Sequence, residues 1–544
     1  MLKLMGRVRL LMTGAAGALA LAGVAAGPAR AEWLKAESEH FVIYGDTSRG
    51  EITRYSQKLE RFDALLRAYF PIPTEYETPR LDILLANGAT DMNSIAPGIS
   101  GGVAGFYAPD SGRIFAVVNT RSEMGDVVIF HEYAHHFMFQ MTATAYPSWF
   151  VEGFAEYYGM SEIRPDRVKI ARISQGRMNT LVMGANRWAP MEDVLRWRVS
   201  DTGRYRAFDY YAQSWALTHY MLATPERTAK LGQYLGLVKT GADPVVALNT
   251  AFALTPEQLQ EELRRYLRGA VNELTPQIQL PEAEVTVSAL PASYDRLIWY
   301  DFRLDRDPFK PGEPTENATQ EQRQALERRN REGAQEQRDL IRDAQADAGR
   351  FAGDRMATLV KARAQRLDGK PADALDTLSP LLTGPTEDAI ALRLAGECLL
   401  EISKTEADAT AKAAMQRQTR TYLARAMEAN PLDFRTYLAL DDSRQGAAGY
   451  PNANDLSTLE VAVALAPQSS DTRVRAARVY MAQNQPVMAV SMLTPVANNP
   501  HGGSGLAAIR ALLARARAAA GMTPAAEGDV PAPSEEDEGE GAGE

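Results

Sequence analysis

The stretch Val127–Phe139, VVIFHEYAHHFMF, carries three of the chain's six histidines within six consecutive positions of an apolar run. No proline occurs between Ser122 and Thr142, so the run predicts a helix, with Ser122 placed to cap it. His131-Glu132-Tyr133-Ala134-His135 has the form H-E-x-x-H. Positions four apart share one helix face, so both imidazoles can address a single point. Glu132 stands beside that face, where its carboxylate can reach a water at the same point without displacing it. His136 faces about 100° away from His135 and is read as a packing or hydrogen-bonding side chain.

A catalytic zinc site usually takes three protein ligands and keeps a fourth position open. The next segment, Tyr146–Gly159, YPSWFVEGFAEYYG, offers the third. Pro147 and Ser148 can start a second helix, and Glu152 and Glu156 lie four apart on one of its faces. Gly153 permits close backbone approach. Glu152 follows His135 by 17 residues, enough chain for one helix to turn back on its neighbour.

Outward from this pair, the pattern is of strands followed by helices. His40–Asp46 (HFVIYGD) and Leu81–Gly88 (LDILLANG) read as strands, and Ile52–Phe70 reads as an amphipathic helix closed by Pro71. Gly102–Thr120 predicts a hairpin around Pro109-Asp110-Ser111-Gly112. From Ser122 to about residue 270 the pattern is mostly helical, which makes residues 32–272 an α+β unit. Residues 273–352 hold the β-like pieces EVTVSAL and RLIWYDF and a charged stretch read as linker and solvated helix.

At the quoted residues the chain resembles the gluzincin metallopeptidases of the peptidase MA-like group, in which H-E-x-x-H is followed by W-x-x-E-G. The resemblance covers roughly residues 38–270 and implies a zincin-like fold. It implies one Zn²⁺ per chain held by His131, His135 and Glu152, with Glu132 as general base and Glu156 orienting a ligand histidine from behind. The segment from Tyr211, YAQSWALTHYM, resembles the one that carries the transition-state tyrosine. Asp209 is placed to cap that helix near Tyr210, with Tyr211 in its first turn. No counterpart of the G-x-M-E-N signature of the aminopeptidase branch is present, which leaves aminopeptidase specificity unsupported. His40, beside the first strand, and His219 are read as structural.

From residue 353 to 522 the chain becomes rich in Ala and Leu. Helix ends at Asn430-Pro431, Ala466-Pro467 and Asn499-Pro500 recur near the roughly 34-residue period of tetratricopeptide repeats. Gly369–Leu378, GKPADALDTL, reads as the turn and second helix of such a repeat. The expectation is an all-α tetratricopeptide-like solenoid, a separate unit that can hold a protein partner and takes no part in the chemistry.

Composition narrows the function classes. Lys3, Arg7 and Arg9 precede an apolar stretch, Leu10–Ala26, and Ala29-Arg30-Ala31 forms a cleavage site, so residues 1–31 read as a signal peptide. The mature chain is then exported, with a periplasmic location expected and no transmembrane anchor. Its single cysteine, Cys398, excludes a cysteine-ligated metal and reads as a small buried hydrophobe. The formal charge of −10 and the acidic, base-free tail 523–544 offer nothing to nucleic acid. The resulting expectation is an exported zinc metallopeptidase acting on a peptide or protein substrate. Two rivals are an inactive zincin unit in a protein-binding scaffold and a zinc hydrolase acting on a non-peptide amide.

Overall fold

The computed structural model describes residues 32–72, 77–99, 102–109, 112–142, 144–198, 205–269, 271–306, 309–314, 319–384, 386–499 and 505–522. Residues 1–31, read above as a signal peptide, the acidic tail, His501, Pro500 and the two central residues of the hairpin turn lie outside them.

The N-terminal unit is built on a six-stranded mixed sheet in the order β4-β5-β3-β2-β1-β8. The strands are β1 (Trp33–Glu37), β2 (Phe41–Asp46), β3 (Leu81–Ala86), β4 (Gly105–Pro109), β5 (Ile114–Asn119) and, after the helical region, β8 (Thr286–Ala289). β2, β3 and β5 run parallel, while β4 pairs antiparallel with β5 and stands at the edge. Alternation along β3 and β5 separates two cores. Leu81, Ile83, Leu85, Ala116 and Val118 face helices α1 (Arg49–Tyr69) and α3 (Gly125–Phe137). Leu84, Ala86, Phe115 and Val117 face α2 (Ala89–Ile95) and α11 (Tyr294–Leu304) on the other side.

α1 begins where the Ser48 hydroxyl accepts from the Glu51 amide, 3.2 Å, and ends before Pro71 as expected. The cap assigned to Ser122 is corrected: its hydroxyl accepts from Met124 N–H, and α3 starts at Gly125 with no side-chain cap. A π-helical turn, Met138–Thr142, continues α3. Then follow α4 (Ser148–Gly159), the small hairpin β6 (Glu162–Arg164) and β7 (Arg167–Lys169), α5 (Gln175–Met183), α6 (Met191–Arg196) and α7 (Ala207–Leu222). Three further helices, α8 (Pro225–Lys239), α9 (Pro244–Phe252) and α10 (Pro256–Arg268), complete the helical layer.

The segment RLIWYDF, read as β-like, is instead part of α11. Leu297, Ile298, Asp301, Phe302 and Leu304 are its buried positions, a helical spacing that aromatic and β-branched residues disguised. α12 (Gln320–Ala348) is mostly solvated, but Ile341, Ala344 and Ala348 in its last turns join a core with α11 and α13 (Arg355–Leu367).

From α13 the chain is a solenoid of helix pairs. α13 is followed by α14 (Pro371–Leu382), α15 (Ala389–Thr405) by α16 (Ala409–Ala429), α17 (Phe434–Arg444) by α18 (Ala453–Leu465), and α19 (Ser470–Ala482) by α20 (Pro486–Ala497), before a last helix α21 (Leu506–Ala519). Gly369, at φ +73°, makes the turn into α14, a conformation that a side chain would strain.

A largely buried chain of alternating charges joins the two units. Arg113, at the start of β5, reaches Asp82 on β3 (2.7 Å) and Asp301 on α11 (2.8 Å). Asp301 also takes Arg363 of α13. Asp305 takes Arg363 (3.0 Å) and Arg435 of α17 (2.9 Å). The chain continues through Arg435–Asp433 (2.7 Å) and Arg393–Asp433 (3.1 Å) to Arg393–Glu397 (2.6 Å). Burial alone would push the Asp305 carboxyl up, but Arg363, Arg435 and Arg113 hold it well below the usual carboxylate range. The solenoid is therefore bolted to the sheet rather than hung from a linker.

Candidate metal centre

α3 is held in place by the side of it that faces away from the candidate site. Ile129, Phe130, Tyr133, Ala134 and Phe137 are buried, Phe130 stacks on Phe62 of α1 at 4.2 Å, and the Tyr133 hydroxyl donates to Asp63 at 2.6 Å. The opposite side is left with His131 and His135. α4 comes close because it carries glycine at both contact points. A Cβ on Gly159 would sit 3.2–3.3 Å from His131, and one on Gly153 would sit 2.3 Å from the Ser214 carbonyl oxygen of α7. Glu152, beside Gly153, is thereby buried between α3 and α7 at 1% exposure.

The result is a tight triangle of donors. His131 Nε2 and His135 Nε2 are 3.1 Å apart, and Glu152 Oε2 lies 3.8 Å from the first and 3.6 Å from the second. Ligands on a tetrahedral zinc at 2.0–2.2 Å are roughly 3.3 Å apart. The donor set fits that ion in both chemistry and separation. Glu132 is half-buried on the same helix between the two ligand histidines.

Glu156, one turn beyond Glu152, lies 3.7 Å from His131 Nδ1. Its carboxylate is held bidentately by Arg177 of α5, Nε to Oε2 at 3.1 Å and Nη2 to Oε1 at 2.7 Å. Arg177 also lies over the rings of Phe208 (4.7 Å) and Tyr211 (5.7 Å). The sequence reading missed Arg177. Its only signal was chemical: three acids, Glu132, Glu152 and Glu156, crowd one site and call for a cation.

α7 begins at Ala207, three residues earlier than expected, so Asp209 is not its cap. Asp209 lies in the first turn and pairs with Arg206 at 2.9 Å. The tyrosines are nevertheless told apart. Tyr210 is buried, with its hydroxyl donating to the Trp197 carbonyl at 2.9 Å. Tyr211 faces the acids: burial and then the Glu152 charge push its phenol pKa up, so the hydroxyl keeps its proton.

The other histidines among the described residues have partners of their own. His136 meets the Tyr107 hydroxyl of β4 through Nδ1 at 3.0 Å, and burial lowers its pKa to about 3. His219 Nε2 lies 3.0 Å from the Ala171 carbonyl and so must donate, leaving Nδ1 to accept from the Tyr266 hydroxyl at 2.7 Å. His40 forms a second histidine–acid cluster with Glu60 (2.7 Å) and Asp63 (3.5 Å), but Arg67 and Tyr133, each at 2.6 Å from Asp63, already fill it. Cys398 is buried, its thiol pushed up to about 12 by burial.

Fold and site together define a mixed-sheet α+β unit with a two-histidine, one-glutamate cluster on facing helices, joined to a helical solenoid. Residues 127–241, which contain every residue of that cluster and Tyr211, match the family described as "Protein of unknown function (DUF1570)". No curated protein matches the chain. Among solved structures, a thermophilic TPR protein in Thermus thermophilus is similar at 17% identity, over 33% of this chain and 90% of its own, with a TM-score of 0.29.

Proposed function

We propose that this protein is a zinc-dependent metallopeptidase. The observation that carries the reading is the triangle of His131, His135 and Glu152, whose three donor atoms lie 3.1–3.8 Å apart with Glu132 on the same helix. When bound there, Zn²⁺ supplies Lewis acidity that acidifies water and polarises a carbonyl.

The rest belongs to the chain's own side chains. Glu132 takes the proton of the attacking water, whose oxygen joins the acyl carbon, and delivers that proton to the amine as the C–N bond breaks. Tyr211 donates to the substrate oxygen as it turns negative, an interaction that strengthens in the transition state. Arg177 holds Glu156 against His131 and offsets the charge of the three acids. The edge strand β4 offers the outer side of its main chain, along which an extended peptide can align.

Export through cleavage after Ala31 belongs to the same proposal, and no helix among the described residues is long and apolar enough to cross a membrane. The decisive experiment incubates the purified mature chain with a library of short peptides, with and without a chelator, and reads products by mass spectrometry. The proposal requires peptide cleavage that the chelator abolishes and zinc restores. Release of a small group from a non-peptide amide alone would point to the other hydrolase reading, and a zinc-loaded chain that cleaves nothing would sink the enzyme altogether.

A further inference from the structure

The edge strand β4 and the metal helix α3 are fastened to each other at two points, and the residue midway between those points is Glu132. Side chains alternate along β4. Phe106 and Ala108 join the core on the α2 and α11 side of the sheet, while Gly105 and Tyr107 turn to α3. At Gly105 the approach is close: an added Cβ would stand 3.0 Å from Val128 Cγ1 of α3 and 2.6 Å from the Val117 carbonyl oxygen. At Tyr107 the hydroxyl meets His136 Nδ1 at 3.0 Å, with the two rings edge to face at 5.5 Å. The His136 ring is buried, and that of Tyr133 lies 5.7 Å from it.

Val128, Glu132 and His136 are successive positions four apart. They stack along one face of the helix with a drift of about 40° per step. The fastenings therefore lie one turn before and one turn after Glu132, and β4 crosses the helix face that carries the base. His135 stands about 60° and His131 about 100° round the helix to one side of that residue.

The main chain of β4 has a matching order. The Ala104 carbonyl accepts from Asn119 N–H, and in an antiparallel pair the residues bonded to the partner alternate with residues turned away from it. Continued through the register Gly105↔Val118 to Pro109↔Ile114, this alternation turns the N–H and C=O of Gly105 and Tyr107 to the outer side of the sheet. The two residues held against α3 are thus the two whose peptide groups an added strand would meet.

We infer that Tyr107 and His136 are positioning residues: the bond between them sets the height of β4 over Glu132, and so the place at which a peptide aligned on β4 meets the base. The inference rests on the peptidase reading above. It gives the third histidine of the run a task of its own, directed at the strand and not at the metal. A short substrate lying only at the metal does not sense this bond. A longer one, paired with β4, does.

The test compares, in the zinc-loaded full chain, two peptides that share one scissile bond: the shortest that is cut, and the same sequence extended at both ends. The wild type should favour the longer one in kcat/KM by at least about tenfold. Tyr107→Phe removes only the hydroxyl and His136→Leu removes the ring; each should reduce that preference by about five- to tenfold, through the KM of the longer peptide, with kcat and zinc affinity little changed. The double variant should be no worse than the worse single one, since both break one bond. His136→Asn, whose amide reaches the place of Nδ1, should restore most of the preference. Combined with Glu132→Gln, Tyr107→Phe should weaken the Kd of the longer peptide by the same factor, a readout free of turnover. A wild type indifferent to length, an unaltered preference in Tyr107→Phe, losses that add in the double variant, or an equal loss on both peptides, as from a smaller folded fraction, would each overturn the inference and leave the peptidase standing. If no peptide is cut at a site that binds zinc, the peptidase reading fails and takes this inference with it.

Discussion

Gly153→Ala tests the step from packing to metal binding. The added methyl would stand 2.1 Å from Thr218 Oγ1 and 2.3 Å from the Ser214 carbonyl oxygen. A threonine hydroxyl can rotate away, but a main-chain carbonyl cannot. Since real Cβ contacts essentially never fall below 3.0 Å, α4 and α7 must separate by about 0.7 Å at least. Overpacking of this kind costs about 1–3 kcal/mol. Glu152 is the adjoining residue, so the same displacement shifts Oε2 out of register with the two imidazoles, now 3.6 and 3.8 Å off. Zinc affinity should fall by at least about tenfold, and kcat/KM by about 100-fold where geometry is off by about an ångström. Competition with a chromogenic chelator gives the first value, and thermal unfolding of the metal-free chain should show a loss of a few degrees. Gly176→Ala on α5 is the control, since nothing lies within 4 Å of its added methyl. If Gly153→Ala matches Gly176→Ala in zinc affinity and Tm, the glycine does not set the position of Glu152.

His135→Ala should lose the metal, whereas Glu132→Gln should keep it and lose nearly all hydrolysis, as metal analysis beside a peptide assay will show. Tyr211→Phe should lower kcat by roughly 10²–10³ with zinc content unchanged, while Tyr210→Phe should cost about 1 kcal/mol of stability through the lost Trp197 bond and spare kcat; the reverse pattern would mean that the wrong tyrosine faces the site. Asp305→Asn should destabilise the chain by about 3–5 kcal/mol at neutral pH in denaturant unfolding, since it strips a carboxylate from the buried Arg363 and the partly buried Arg113 and Arg435. Because the folded Asp305 pKa is depressed, the unfolded chain takes up the proton first. Its stabilisation is therefore full above about pH 4 and is lost as pH falls toward the folded value. The Asn variant should show a shallower acid slope than the wild type, and equal slopes would remove Asp305 as the cause.

What could be read in the sequence was whatever repeats at short range. The four-residue spacing of His131 and His135, the Glu152-Gly153 pair, the alternation in β2, β3 and β5, and the Pro-marked helix ends all depend on local periodicity, and the helices and strands fall where those patterns put them. Two caps were misplaced by local reasoning. Ser122 and Asp209 are good capping residues, but the Ser122 hydroxyl takes Met124 N–H ahead of α3, and Asp209 already lies inside the first turn of α7, paired with Arg206. RLIWYDF was misread because a helix buried on a sheet is as rich in aromatic and β-branched residues as a strand. Arg177 was invisible for a different reason: its role comes from a partner 21 residues away, and no spacing rule encodes that contact.

The charged spine went unread for the same reason, yet it decides how the two units can be studied. Asp82, Arg113, Asp301 and Asp305 belong to the sheet and α11, and Arg363, Arg393 and Arg435 belong to the solenoid. Each looks like an ordinary surface charge in sequence. Together they are largely buried; the sheet-side set carries a net −2, and the three arginines are balanced in part by it and in part by Asp433 and Glu397. A chain ending near residue 304 keeps Arg113 paired to Asp82 and Asp301 but loses Asp305 and Arg363, and it bares Leu297, Leu304 and Ile114 to water. Such a fragment should aggregate or unfold, because it exposes those apolar side chains and leaves Asp301 without Arg363. Beside the same junction Gln140 donates to the Leu465 carbonyl of the solenoid at 3.2 Å. The alternating ion chain fastens the solenoid to the sheet, so a change on either side of it should be felt on the other.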